Sequence, residues 1–397
     1  MKYNFDEVID RRGTNALKWD PELIEKLMGA KGEDLLPMWV ADMDFRCPQV
    51  VIDSLKKRAE HGIFGYSMPL DEYYSAMNYW YKKRYNWEIK SEWVINSPGI
   101  VPALNFIIRA LTEPRDKVII QQPVYYPFKS SIENNDRVVI NNALINKEGK
   151  YVIDFEDLEN KAKDSQCKLL ILCSPHNPVG RVWEKEELQK LGEICNRYNV
   201  IVVADEIHSD LILSGNKHTT YGSLGKEFEN NCVICTAPSK TFNLAALQIS
   251  NIIIPNEEIR EKIEKEFMKS FMMTPLPNIF AIDAIHSVYS PEGEEWLEQL
   301  LTYLDGNADF IGDFVKEHMP NVRYTKPEGT YLAWLDFREV ESDYKELERK
   351  ISEEAKVVLD GGSMFGTKGR GFIRINYACP RSILEEGLTR IKKVFFK

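Results

Sequence analysis

Six short apolar runs recur through the middle of the 397-residue chain, and they limit the folds that the chain can adopt. Charged, helix-like segments such as 184–198 lie between several of them. Strands that are apolar at almost every position are buried on both faces, which is typical of a mostly parallel sheet covered by helices. We therefore predict an α/β fold with such a sheet at its centre. The runs span residues 118–120, 138–140, 169–172, 200–204, 233–234 and 252–254.

The pattern changes beyond about residue 290, where a long acidic helical stretch is followed by short strand-like pieces. A chain of this length exceeds what one simple core usually holds, so two domains are expected. The strand-like pieces are residues 322–324, 331–335 and 371–376. We predict an N-terminal arm over residues 1–45 that joins the smaller domain, a large domain over 46–288, and a smaller α+β domain over 289–397.

The N-terminal arm has two recognisable parts. Its first part is a predicted helix over residues 21–28, and its second is a dense segment over 37–45 that mixes aromatic and acidic residues. We interpret the second part as a docking segment whose anchors are Trp39 and Phe45. A further helix is predicted from Pro48 toward residue 61.

The net charge indicates the kind of partner, and the N-terminal sequence and the cysteines indicate the cellular compartment. A net charge of −10 gives no basic surface for nucleic acid or an anionic membrane, so a small molecule is the expected partner. Residues 1–13 lack the apolar core of a signal peptide, and no apolar run approaches the length of a membrane span. Seven cysteines without regular spacing are typical of a reducing compartment. We predict a cytoplasmic protein.

Unusual residues follow four of the apolar runs. Because the carboxyl ends of parallel strands meet at one edge of a sheet, these residues are expected to lie together there. Taken singly, Tyr125 is better explained as a core edge, Asn177 as a turn former, Asp205 as a helix cap and His208 as a surface histidine. Their coincidence is what indicates a site. The residues are Tyr125, Asn177, Asp205, His208 and Lys240.

Lys240 is the strongest single candidate. It lies in the stretch TAPSKTFNLAALQ, residues 236–248, and no other charged residue lies within ten positions on either side. Such surroundings desolvate the amine in part, which lowers its pKa and makes it a nucleophile. The sequence around Lys240 therefore indicates imine chemistry.

A predicted helix over residues 100–111 offers a second kind of site. Ser-Pro-Gly at 97–99 stands just before its first turn. The backbone N–H groups near Gly99, Ile100 and Val101 are therefore suited to a phosphate, although capping alone also explains this sequence.

Two further residues have open interpretations. Tyr66 lies in a glycine-flanked loop, where a functional contact and a plain turn are equally plausible. Arg374 lies inside an apolar strand, so we expect it to meet a carboxylate. A carboxylate of the protein and one of a ligand fit that expectation equally well.

Several other classes of function are disfavoured. Residues 205–208 match the acidic box of a nucleotide-driven helicase, but the nearest phosphate-loop candidate, 222–227, has the wrong glycine spacing. Residues 361–366 fail the dinucleotide-binding spacing in the same way. The six histidines show no paired metal-ligand spacing, so no metal is expected. Cys232 and Cys235 would face opposite sides of a strand and are expected to share neither a disulfide nor a metal.

Four ordered motifs together resemble the fold type I enzymes that use pyridoxal 5′-phosphate, in the class I/II aminotransferase superfamily. The resemblance covers nearly the whole chain. Within the superfamily, WVADMDF at 39–45 and His208 resemble the cystathionine β-lyase, or cysteine C–S lyase, branch. The four motifs are Asn177-Pro178, DEIH at 205–208, SKTFN at 239–243 and FIRIN at 372–376.

The resemblance implies a role for each candidate residue. Lys240 would hold the cofactor as an imine and then act as general base at the substrate Cα. Asp205 would keep the pyridine nitrogen protonated, and Arg374 would bind the α-carboxylate of the substrate. The remaining implied contacts are those of Asn177 and His208 to the phenolic side of the ring, Tyr125 to its face, Gly99, Ile100, Val101 and Ser239 to the phosphate, and Val40 and Ala41 to the substrate.

The resemblance also implies a homodimer in which Tyr66 reaches the neighbouring subunit's site. Ala237 stands where many relatives have a phosphate-binding hydroxyl, and Gln248 stands where they have a phosphate-binding arginine. Tyrosine is common in aminotransferases at the position of His208. These departures favour a lyase over an aminotransferase.

The expected reaction is β-elimination from L-cystathionine or a cysteine S-conjugate, which releases a thiol, pyruvate and ammonia. An aminotransferase would use the same residues, so that activity stays as an alternative. A regulatory or binding protein that retains the fold is a third hypothesis.

Overall fold

The computed structural model describes residues 2–32, 34–271 and 275–396. The helices in these ranges are α1 (Pro21–Met28), α2 (Gln49–His61), α3 (Asp71–Tyr85), α4 (Ile100–Leu111), α5 (Pro127–Glu133), α6 (Phe155–Ala162), α7 (Lys185–Arg197), α8 (Lys226–Glu229), α9 (Pro238–Thr241), α10 (Glu257–Met268), α11 (Ile279–Val288), α12 (Pro291–His318), α13 (Tyr344–Arg349) and α14 (Arg381–Phe395). The strands are β1 (Leu36–Pro37), β2 (Val94–Ser97), β3 (Lys117–Ile120), β4 (Val138–Asn141), β5 (Ile145–Lys147), β6 (Lys150–Val152), β7 (Cys167–Cys173), β8 (Ile201–Asp205), β9 (Cys232–Thr236), β10 (Ser250–Ile253), β11 (Arg323–Tyr324), β12 (Leu332–Asp336), β13 (Val357–Val358), β14 (Asp360–Gly361) and β15 (Phe372–Asn376).

A seven-stranded sheet lies at the centre, with the strand order β2-β10-β9-β8-β7-β3-β4. Its pairs are parallel from β9 to β4, and β10 runs antiparallel to both β2 and β9. Each of the six predicted apolar runs forms one of these strands. The predicted α/β fold with a mostly parallel sheet is confirmed. Strand β2 was not predicted, because its four residues, VINS, carry only a weak apolar signal.

Helices cover both faces of this sheet. The predicted helix over 100–111 is α4, and its buried residues Ala103, Leu104, Ile107 and Ile108 repeat at the spacing of one helix face. The two faces of the sheet belong to separate apolar clusters, one containing Cys232 and the other Cys235. The prediction that these two cysteines face opposite sides is confirmed.

A second, four-stranded antiparallel sheet has the order β11-β12-β15-β14. Its strands β11, β12 and β15 correspond to the strand-like pieces predicted near the C-terminus. The N-terminal arm reaches the same region, since β1 pairs in parallel with β13. The boundaries at residues 45 and 288 stay a prediction. Within the described ranges, no helix is long and apolar enough to cross a membrane.

The N-terminal arm is fixed by a buried cluster of charges. Lys18 and Asp44 form an ion pair of 2.7 Å, with side-chain exposures of only 1% and 5%. Asp44 also accepts hydrogen bonds from Arg11 and from the Trp19 indole. These opposite charges hold the pKa of Asp44 below its usual value, although its burial acts in the other direction. The cluster therefore fastens residues 11–19 to the docking segment.

Removal of one partner of this buried pair should destabilise the fold strongly. We expect Lys18→Met to lower the free energy of unfolding by about 3 kcal/mol, because Asp44 stays buried with less compensating charge. Urea unfolding followed by circular dichroism measures the loss. Lys2→Met is the matched control, because the Lys2–Glu295 pair is exposed to solvent and should contribute little to stability. Equal losses in the two variants would contradict this account of the cluster.

Candidate active site

A cavity of about 360 Å³ lies where the central strands end, between the N-terminus of α4, the docking segment and strand β15. Its position is the usual one for a binding site in a parallel sheet. The cavity is lined by nearly all of the sequence-predicted site residues, namely Val40, Ala41, Gly99, Ile100, Val101, Tyr125, Asn177, Asp205, His208, Ser239, Lys240 and Arg374. Tyr66 is the exception and lies fully exposed on the surface of the chain. The role of each residue stays a prediction.

Lys240 is carried by the short helix α9, directly after strand β9. Its Nζ donates a hydrogen bond of 2.6 Å to the carbonyl oxygen of Ala41. Burial of the amine lowers the pKa of Lys240 to about 8, against the opposing influence of Asp42 and Asp205. A nucleophilic amine near neutral pH is therefore available in the cavity, as the uncharged surroundings predicted.

Asp205 is the last residue of β8 and is buried at the cavity. Its Oδ1 accepts a hydrogen bond of 3.2 Å from the backbone N–H of Ile207. Burial raises the pKa of Asp205 to about 7, and the charge of Lys240 acts in the opposite direction. A buried carboxylate of this kind is strongly stabilised by any cationic group that binds beside it.

Arg374 lies in the middle of β15, with its guanidinium buried. Its two terminal nitrogens donate to Asn177 Oδ1 and to the Trp39 carbonyl, each at 3.0 Å. The expected carboxylate partner is supplied by the protein, because Asp360 forms an ion pair with the same guanidinium. Arg374 Nε has no protein acceptor among the described residues. The Nε–H donor of the guanidinium is therefore available to a ligand.

His208 and Tyr125 lie on the remaining walls. The His208 ring is buried, its Nδ1 has no partner among the described residues, and its edge meets Tyr331 at a centroid distance of 5.8 Å. Burial holds the pKa of His208 well below its usual value, so the ring is neutral. Tyr125 is fixed by its backbone N–H, which donates to the carbonyl of Asn177 at 3.1 Å. Both rings present polar and apolar surface to a ligand without adding charge.

One end of the cavity is suited to an anion. Gly99, Ile100 and Val101 form the start of the twelve-residue helix α4, whose first N–H groups have no acceptor within the helix. Ser239 lies at the same cavity, as do Ala237 and Gln248. The helix N-terminus offers partial positive charge where a phosphate is predicted.

Sequence reasoning missed several residues of the site. Asp360 lies on the two-residue strand β14, and Tyr331 donates from its hydroxyl to the carbonyl of Ala41 at 2.8 Å. Asn243 and Asn376 bind the backbone of the docking segment. Both asparagines belong to the motifs SKTFN and FIRIN, so their positions in those motifs were the available signal. Asp360 and Tyr331 had no comparable signal.

Comparison with known proteins places the chain in a family. The family model for aminotransferase class I and II matches residues 33–391. The chain belongs to this family. The resemblance stated from the four motifs is thereby confirmed.

The relatives narrow the placement within the family. The chain is 44% identical over 389 residues to cystathionine beta-lyase PatB of Bacillus subtilis, which covers 98% of this chain and 99% of that protein. The structure matches cystalysin of Treponema denticola, which contains pyridoxal 5′-phosphate, with a TM-score of 0.95, 40% identity and 99% coverage of both chains. It matches the PLP-bound C–S lyase of Staphylococcus hominis with a TM-score of 0.90 and 35% identity, over 100% of this chain and 98% of that one. These likenesses fit the lyase branch.

The buried carboxylate predicts a stability that depends on pH. The pKa of Asp205 is about 7 in the folded chain and near 3.9 when unfolded, so the folded state binds the extra proton between these values. Stability therefore falls as pH rises through this window, and the penalty is complete above pH 7. Asp205→Asn removes the charge and should stabilise the cofactor-free protein at pH 8, by at most about 4 kcal/mol.

Urea unfolding at pH 8 and at pH 4 measures this effect. The gain from Asp205→Asn should be large at pH 8 and nearly absent at pH 4. Asp53→Asn, at an exposed position of α2, is the control and should change stability by less than about 0.5 kcal/mol at either pH. An Asp205→Asn variant that is less stable than the wild type at pH 8 would show that the carboxylate is not destabilising.

Proposed function

We propose that the protein is a pyridoxal 5′-phosphate-dependent carbon–sulfur β-lyase. Its substrate would be L-cystathionine or a cysteine S-conjugate, and its products a thiol, pyruvate and ammonia. The observation that carries this proposal is the 44% identity to a cystathionine beta-lyase over almost the whole chain. The cavity supports it, because Lys240, Asp205 and Arg374 all line the same space.

The residues of the cavity fit the proposed cofactor. Lys240 is a buried amine of lowered pKa, which suits covalent attachment. Asp205 is a buried carboxylate that gains from a cation beside it, which suits a protonated pyridine nitrogen. His208 Nδ1 is a buried polar atom without a partner among the described residues, so a polar group of a ligand would satisfy it. The N-terminus of α4 suits the phosphate.

The bound cofactor would supply an electron sink for the substrate Cα. The rest of the chemistry falls to the side chains. Arg374 would bind the substrate's α-carboxylate through its planar, multidentate donors, and this carboxylate would compete with or join Asp360 on the guanidinium. Lys240 Nζ would take the proton from Cα, and the Ala41 carbonyl would accept a hydrogen bond from the resulting ammonium.

Two cavity residues favour elimination over transamination. Ala237 and Gln248 both line the cavity, and neither supplies a hydroxyl or a guanidinium to it. The proposed anchorage of the phosphate therefore depends on backbone N–H groups and on Ser239. Between the two half-reactions of an aminotransferase, the cofactor is joined covalently to neither the lysine nor a substrate, so a weak phosphate site suits that activity less well.

An assay without a keto acid separates the candidate activities. We expect the protein to release pyruvate and free thiol catalytically from L-cystathionine or S-methyl-L-cysteine. Lys240→Ala should lower the rate by about 10³-fold or more, because nucleophile and general base are lost together. Lys226→Ala is the matched control, since Lys226 is almost fully exposed on α8, and it should keep the activity.

Two results would reject the lyase. Turnover that depends on an added keto acid would identify an aminotransferase. An equal rate in the wild type and Lys240→Ala, with a bound protein partner, would favour a regulatory protein that retains the fold.

We also propose a homodimer. The segment from Gly62 to Leu70 exposes several large apolar side chains in succession, which is unusual for a surface that stays in water. A second copy of the chain would cover this segment and receive Tyr66 in its own cavity. The exposed side chains are Ile63, Phe64, Tyr66, Met68 and Leu70.

Mixed dimers test this arrangement. Tyr66→Ala and Lys240→Ala should each be nearly inactive as homodimers, whereas co-expressed subunits should regain about a quarter of the wild-type activity, since one site of each mixed dimer is intact. Size-exclusion chromatography with light scattering reports the oligomer. Asp205→Ala is the matched control, because Asp205 and Lys240 line the same cavity of one chain, so mixed dimers of Asp205→Ala and Lys240→Ala contain no intact site and should stay inactive. If the co-expressed subunits are no more active than the two homodimers measured separately, the site is not shared between subunits.

A cytoplasmic location is proposed on the state of the cysteines. All seven are free thiols and six are buried in the core. Free thiols are typical of a reducing compartment.

A further inference from the structure

Residues 39–45 of the docking segment lie outside the helices and strands of the fold, so their carbonyl groups have no ladder partners. Polar side chains from the site bind several of them instead, beside the backbone hydrogen bonds of Asp42 N–H to the Val40 carbonyl and of Asp44 N–H to the Ala378 carbonyl. The bonds run from Arg374 to Trp39, from Asn376 to Val40 and Asp42, from Lys240 and Tyr331 to Ala41, and from Asn243 to Met43 and Phe45.

Asn376 provides the tie from strand β15. Its side chain is fully buried, and its Nδ2 donates to the carbonyls of Val40 at 2.5 Å and Asp42 at 2.6 Å. Its Oδ1 accepts from the backbone N–H of Ala378 at 2.9 Å, which fixes the orientation of the amide. Because the two bound carbonyls flank Ala41, this side chain sets the direction of the peptide between them.

Asn243 provides the tie from the turn that follows Lys240. It adopts a left-handed φ of 58°, a conformation that asparagine tolerates better than most residues. Its Oδ1 accepts from the N–H of Met43 at 3.1 Å, and its Nδ2 donates to the carbonyls of Met43 and Phe45, each at 2.9 Å. The docking segment is therefore held against the same turn that carries the reactive lysine.

We propose that Asn243 and Asn376 are positioning residues that hold the docking segment so that the Ala41 carbonyl meets Lys240 Nζ. This inference rests on the proposed lyase reaction, in which that lysine moves the Cα proton. The Ala41 carbonyl accepts hydrogen bonds from Lys240 Nζ at 2.6 Å and from the Tyr331 hydroxyl at 2.8 Å. A small displacement of Ala41 would leave the buried ammonium without its acceptor, and displacements of about 1 Å can change rates about 100-fold.

Two variants test the proposal in the protein with its cofactor bound. Asn376→Ser shortens the side chain and removes its reach to both carbonyls, and Asn243→Gly removes three hydrogen bonds while keeping the left-handed backbone accessible. Hydrogen exchange with mass spectrometry should show exchange over residues 38–46 at least about 10-fold faster in each variant, since the segment opens more often. Peptides from β8 should be unchanged. Either variant suffices if the other does not fold.

Steady-state kinetics supply the second readout. We expect kcat to fall about 10- to 100-fold in both variants, because the acceptor for Lys240 is displaced. KM should change by a smaller factor than kcat, because Arg374 stays fixed in β15 by Asp360 and Asn177 while only the contacts of Val40 and Ala41 loosen. This split between kcat and KM distinguishes positioning of the lysine from general damage to the site.

Asn142→Ala is the matched control. Asn142 is also fully buried, and its Nδ2 donates to the Asp154 carbonyl at 2.9 Å and to Asp157 Oδ2 at 2.8 Å, neither of which contacts the docking segment. Its loss should lower the melting temperature while exchange over residues 38–46 and kcat stay within about twofold of the wild type.

Three results would overturn the proposal: unchanged exchange over residues 38–46, faster exchange with an unchanged kcat, or an equal loss of kcat in Asn142→Ala. A wild-type protein without lyase turnover would instead reject the proposed function, and the exchange measurement would still decide whether the two asparagines fix the segment.

Discussion

The buried guanidinium of Arg374 is the contact on which the arrangement of the site depends. It bonds to Asn177 at the end of the central sheet, to the Trp39 carbonyl in the docking segment, and to Asp360 in the smaller sheet. A single charged group therefore joins three parts of the chain that are far apart in sequence. Because a buried guanidinium without partners is very costly, these three parts are stable together only in the arrangement that forms the cavity.

Burial also sets the electrostatic state of the cavity. It acts in opposite directions on the amine and the carboxylate, since it lowers the pKa of Lys240 to about 8 and raises that of Asp205 to about 7. It also keeps His208 neutral. The charged forms of Lys240 and Asp205 therefore cost free energy in this buried cavity. A cationic ring and an anionic phosphate would offset that cost. The protein without its cofactor holds unfavourable charge, and the fit of the proposed cofactor follows from relieving it.

Much of this organisation is readable from the sequence, and the reason is topological. Parallel strands end at one edge, so the residues that follow the runs, such as Asn177, Asp205 and Lys240, had to meet. Asp360 could not be predicted, since it lies on a two-residue strand and its importance comes only from pairing with Arg374 across the sheet. Tyr331 was equally hidden, because its contact with Ala41 joins residues 290 positions apart.

The docking segment shows why irregular backbone can be a rigid part of a site. Without a partner strand, residues 39–45 have no regular hydrogen bonds, yet side-chain donors bind their carbonyls from one side and the Lys18–Asp44 cluster fixes them from another. The sequence WVADMDF supplies aromatic residues that anchor the segment by burial and acidic residues that pair with Arg11 and Lys18. A regular strand would direct its N–H and carbonyl groups alternately to its neighbours. The irregular path instead leaves the Ala41 carbonyl available to Lys240, which is the feature that the proposed chemistry needs from this segment.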